Sequence, residues 1–131
     1  MTDLNYPAIV VAAVAVFVLS TVYYIAFTDR LMRLSAAYAD ADARPAAWRV
    51  AIEIVRSLVV GAVVAGLMSL TGVADLVGAV QLALALWIGF PVVLLTGSVI
   101  WEKVPPVLAA IHAGDWLLKL LVIAVIVTLW R

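Results

Sequence analysis

Residues Leu76 to Trp101 read LVGAVQLALALWIGFPVVLLTGSVIW, and this stretch decides the fold. It contains no charged residue and stops against Glu102 and Lys103. At about 1.5 Å rise per residue, a helix over this stretch outreaches the roughly 30 Å hydrocarbon core of a bilayer. Uncharged apolar runs of about 18 residues or more mark a spanning helix, so the chain is expected to live in a membrane. Pro91 has no N–H to give to the carbonyl of Trp87, which predicts a kink or local loosening near mid-span. Ala85 and Gly89 add a surface that a second helix could approach closely.

The composition agrees with that reading. Of 131 residues, 68% are hydrophobic and 12% are charged, and the mean hydropathy is +1.25. Soluble domains carry roughly 45–50% apolar and 25% charged residues, so lipid must take the place of a core here. A formal net charge of zero argues against nucleic acid as a partner, because phosphate binding needs a basic face. Without cysteine there is no disulfide framework and no thiolate nucleophile or metal ligand.

Working outward, the chain divides into four apolar segments, predicted as helices over about 6–27, 46–72, 76–101 and 106–130. The N-terminal segment has no basic n-region and is too long for a signal-peptide core, so it reads as a retained first span. Pro7 falls in its first turn, and Tyr23, Tyr24 and Phe27 crowd its far end as interfacial aromatics do. After it, Leu31, Leu34 and Tyr38 recur opposite Arg30 and Arg33, which suits either a short interfacial helix over 29–39 or a solvated loop. The second span carries Gly61 with Ala65 and Ala62 with Gly66, spacings that let backbones approach in lipid. The fourth is long enough to cross only if it begins at Pro106 rather than Gly114. The fold class is thus an all-α, integral-membrane four-helix bundle in a single domain.

Arg30, Arg33, Arg44, Arg49, Arg56, Lys103 and Lys119 lie in, or nearer to, the first and third connections. Arg131 is the one basic residue on the side of the termini and the Asp75 turn. The positive-inside rule then places those two connections in the cytoplasm and both termini outside.

Two polar stripes are the candidate sites. Arg49, Glu53 and Arg56 share a face of the second span at i, i+4 and i+7. His112, Asp115 and Lys119 share one on the fourth at i, i+3 and i+7, with Lys119 near mid-depth. Ionisable groups at such depth face a bundle interior and take partners. One network is expected, joining Asp115 to Lys119 and Arg56, and Glu53 to Arg49 and to His112. A structural role competes with an ion, proton or solute pathway, since Arg56 and Lys119 can also snorkel toward headgroups. One histidine beside one carboxylate makes no metal site, and no cofactor, phosphate loop, nucleophile elbow or catalytic constellation is expected. Trp87 near the bilayer centre is read with Gly89 and Pro91 as packing and kink, filling space beside small residues of a neighbouring helix.

Several features resemble the small bacterial membrane proteins called domain of unknown function 1761. They are Asn5 leading a first helix that ends in Tyr23 and Tyr24, the Leu86-Trp87-Ile88-Gly89-Phe90 segment, Trp101-Glu102-Lys103 followed by proline, and the closing HAGDWLLKLLVIAVIVTLWR. The resemblance covers nearly the whole chain and implies four helices without implying an activity. Where this chain has Ile111 to Trp116, the family reads more like Ile-Asn-Ala-Gly-Tyr, so His112 and Asp115 are departures.

Three hypotheses follow. The first is a homo-oligomeric structural or interaction module without catalysis, with the lipid bilayer and its own copies as partners. The second is a minimal oligomeric transporter or channel whose ion or small-molecule ligand is unknown. The third, an intramembrane enzyme acting on lipid through His112 and Asp115, has the thinnest support, because it lacks a nucleophile and a metal.

Overall fold

The computed structural model describes residues 4–34 and 47–130. Its elements are α1 (Tyr6–Ala26), α2 (Thr28–Leu34), α3 (Ala47–Thr71), α4 (Leu76–Trp87), a π-helical turn (Ile88–Val92), α5 (Val93–Trp101) and α6 (Pro106–Leu129). No strand occurs among the described residues. Four helical spans are long and apolar enough to cross a membrane: α1, α3, the composite α4–α5 rod and α6. The expected interfacial helix begins as α2, and beyond Leu34 it lies outside the described residues.

Each helix starts and stops for a local reason. Asn5 caps α1, its side-chain oxygen accepting from the Ala8 N–H at 3.1 Å, and its amide Nδ2 donates to the Trp130 carbonyl at 2.9 Å. One residue thereby closes the start of α1 and ties it to the end of α6. Asp75 caps α4 by accepting from the Gly78 N–H, and α6 opens on Pro106, which has no N–H to leave unsatisfied. Past the end of α3, Gly72 takes the left-handed conformation at φ 74°, where the lack of a Cβ matters.

Lys103 takes a left-handed conformation too, at φ 57°, one residue beyond Glu102 at the end of α5. The Val104 N–H returns to the Ser98 carbonyl at 3.2 Å and so satisfies a carbonyl at the helix end. A side chain at that position is strained, so Lys103→Gly is expected to raise stability by about 1 kcal/mol. Thermal unfolding in detergent, with wild type run in parallel, measures the gain.

The other three spans pack around α6, which contacts α1, α2, α3, both halves of the composite rod and its π turn. The main core combines Ile9, Ala12 and Val16 of α1 with Val64, Ala65 and Met68 of α3, Ala79 and Ala83 of α4, and the Leu120–Val127 stretch of α6. Small side chains set the spacing. A Cβ on Gly61 would meet Ile9 Cγ2 at 3.4 Å, so the small face of α3 is already used against α1. Close van der Waals fit between these small side chains lets the helices pack tightly.

The π turn surrounds Pro91, which is buried. The missing Pro91 N–H removes one α-helical bond, and the chain absorbs the defect by widening one turn instead of breaking. Beyond it, α5 has no buried residue, while α4 contributes Ala79 and Ala83 to the core.

Candidate functional site

Asp115 lies nine residues into α6, about 13 Å along its axis, and is 2% exposed. A carboxylate stripped of water at that depth needs compensation from charge and hydrogen bonds. Lys119, one turn further on, places Nζ 2.9 Å from Oδ2, with its side chain 12% exposed. Acid before base at i and i+4 is the favourable order on a helix. From α1, the Ser20 hydroxyl donates to Oδ1 at 2.5 Å and the Tyr24 hydroxyl reaches Oδ2 at 3.5 Å. The Tyr24 hydroxyl also meets His112 Nδ1 at 2.7 Å, and the Lys119 ammonium sits 5.0 Å from the centre of the Trp116 ring. The result is a buried, internally neutral pair clasped between α1 and α6.

Two further side chains bond to the same stretch of α6 through its backbone. Tyr23 donates to the Ile111 carbonyl at 2.7 Å, and Trp87 Nε1 donates to the Ala113 carbonyl at 2.8 Å. Each satisfies a polar group that would be costly to leave bare inside the bundle. Gly114 makes room for the first of these bonds, because a Cβ there would collide with the Tyr23 hydroxyl. Tyr23 is also braced edge-on by Tyr24, with centroids 5.5 Å apart, and lies 4.9 Å from the Phe27 ring.

The residues singled out in the sequence fall into two groups here. His112, Asp115 and Lys119 come together in the cluster, His112 joining through Tyr24. Glu53 and Arg56 pair with each other on the outer side of α3, both largely exposed, and Arg49 stacks over the Trp48 ring at 5.3 Å. Among the described residues the charged face of α3 therefore has no ion pair with α6, and the single expected network is divided. Trp87 fills space beside α6 and adds the hydrogen bond to Ala113, Pro91 is buried within the π turn, and Gly89 has nothing within 4 Å of where its Cβ would stand. Ser20, Tyr23 and Tyr24 were outside the expected site, the tyrosines being read as interfacial aromatics. Their signal was present nonetheless, as polar positions at i, i+3 and i+4 within an apolar helix.

Chemically, the cluster offers an acid, a base, a phenol and an imidazole in one hydrogen-bonded chain. Such a set can hold and pass a proton. Among the described residues no group of three or more His, Cys, Asp or Glu is placed to hold a metal ion.

These observations define an all-α chain with four candidate membrane spans, as in a multi-pass membrane protein, and a buried ion pair within the last of them. The chain belongs to the family described as "Protein of unknown function (DUF1761)", which matches residues 7–128, nearly its whole length. No curated protein and no solved structure matches it.

Proposed function

We propose that this is an integral protein of the bacterial cytoplasmic membrane that works through helix contacts with further copies of itself and without catalysis. Its first and third connections then face the cytoplasm and its termini face outside, in keeping with the positions of the arginines and lysines. One observation carries the self-association. The Leu76–Trp101 rod has only 11% of its most apolar window buried, against 28%, 28% and 33% for the other three spans. On it Ala85 and Gly89 are exposed, and neither Gly89 nor Gly97 has a neighbour within 4 Å of a Cβ position. On α3 Gly61, Ala65 and Gly66 are buried and Ala62 alone of the four is exposed, so this rod retains the free close-approach glycines. Native mass spectrometry from nanodiscs is expected to show an oligomer that Gly89→Leu and Gly97→Leu dissociate. Monomer alone at every protein-to-lipid ratio would remove this reading.

A second reading, an oligomeric transporter or channel, is favoured by the Asp115–Lys119 pair, since ionisable groups inside membrane spans mark ion and proton paths. Liposomes carrying the protein would move protons, common ions or cationic dyes, and Lys119→Ala would abolish the flux. Absence of all three fluxes retires it.

A further inference from the structure

The polar cluster has a direction. Within α6, His112 lies six residues from the Pro106 start and Lys119 thirteen, about 9 Å and 20 Å along the axis. A helix of 24 residues overhangs a roughly 30 Å core by about 3 Å at each end. His112 then sits a short way under one headgroup layer, and Lys119 near the midplane. From His112 the hydrogen-bonded chain runs through the Tyr24 hydroxyl to Asp115 and on to Lys119. Past Lys119 the next eight residues, Leu120 to Val127, are all apolar. The path is therefore open toward one face and blind toward the other.

Its outer end is not sealed. Among the described residues, Thr128 Oγ1, at the opposite end of α6, is the one buried side-chain polar atom without a hydrogen-bond partner, so His112 Nε2 is not sealed from the surface. His112 is half-buried, and its hydrogen bond is made by Nδ1, which leaves Nε2 at the surface of the cluster. Among the described residues no further charged side chain is hydrogen-bonded or ion-paired to the cluster. The stretch from Leu76 to Trp101 has none, Glu53 and Arg56 of α3 pair with each other, and Asp29, Arg30 and Arg33 of α2 are exposed. From α1 the titratable groups facing the cluster are Tyr23, bonded to the Ile111 carbonyl, and Tyr24.

We infer that His112, Tyr24, Asp115 and Lys119 form a proton-binding site that loads from the end of the bundle holding α2 and the 102–105 connection and is closed toward the other. A proton taken from water at His112 Nε2 makes the imidazolium, which passes its Nδ1 proton to the Tyr24 oxygen. The phenolic proton moves in the same step to Asp115 Oδ2. His112 returns to the neutral form, Tyr24 is regenerated, and the bound proton resides on a neutral Asp115 carboxyl. Lys119, having lost its counter-charge, is then free to leave the pair.

The inference rests on the bilayer placement of the four spans and is independent of self-association, so a monomeric protein would leave it standing. The test is infrared difference spectroscopy of the full chain in anionic-lipid vesicles, titrated toward acid with the buffer protons as probe. A protonated-carboxyl band is expected to grow in, and Asp115→Asn removes it. Because Asp115→Asn disturbs packing, Tyr24→Phe provides the second arm. There the band reaches its full height at equilibrium but appears about tenfold more slowly after a rapid pH drop. No Asp115-dependent band in folded protein, or wild-type kinetics in Tyr24→Phe, overturns the proposal.

Discussion

Lys119→Met is expected to lower the unfolding free energy by about 3–5 kcal/mol, the largest effect of any single substitution considered, because it leaves a buried carboxylate without its counter-charge. The Asp115 carboxylate keeps only the hydroxyls of Ser20 and Tyr24, and the latter reaches it at 3.5 Å. Two neutral donors replace an ammonium 2.9 Å away. The pair itself need not stabilise the fold, since a well-packed neutral pair of similar volume is often equal or better. The double variant Asp115→Asn with Lys119→Met is therefore expected to regain most of the loss. Unfolding in mixed micelles, run as a double-mutant cycle, separates the two effects. A single variant as stable as wild type would mean that the carboxylate finds water.

Gly114→Ala is the second large effect, expected to cost about 1–3 kcal/mol. The added methyl occupies the place of the Tyr23 hydroxyl, so Tyr23 must turn away and abandon the Ile111 carbonyl. Because Tyr23 also leans on Tyr24 and Phe27, the displacement spreads along the inner face of α1. Tyr23→Phe removes the colliding oxygen, and in that background the cost of Gly114→Ala is expected to fall by more than half. Without such coupling in the same micelle assay, the cost would be traced to the helix backbone.

Apolar length, Pro7, Pro106 and the uncharged stretch between Asp75 and Glu102 made the four helices legible, because uncharged apolar runs of that length between proline and polar breaks read as long helices. Rotation of each helix about its axis was not legible. In water a buried face is apolar and an outer face polar, but in lipid both are apolar and the contrast disappears. The spacing of Arg49, Glu53 and Arg56 therefore carries no sign of whether their face turns inward or outward. For the same reason Ser20, 95 residues from Asp115, gave no hint of its partner. The Asp115–Lys119 pair could be read because i, i+4 geometry is internal to one helix. What joins α1 to α6 depends on packing between segments, which periodicity does not encode.

The π turn at Ile88–Val92 has a consequence for how the longest span should be drawn. One extra residue in a turn slips the angular phase of everything after it by about 100°. A single helical wheel plotted from Leu76 to Trp101 therefore superimposes residues that point in different directions. Two wheels are needed, one ending at Trp87 and one starting at Val93. The first wheel carries the buried Ala79 and Ala83, and the second has no buried residue. A helical phase counted straight through Pro91 goes out of step with the packing unless the slip is included.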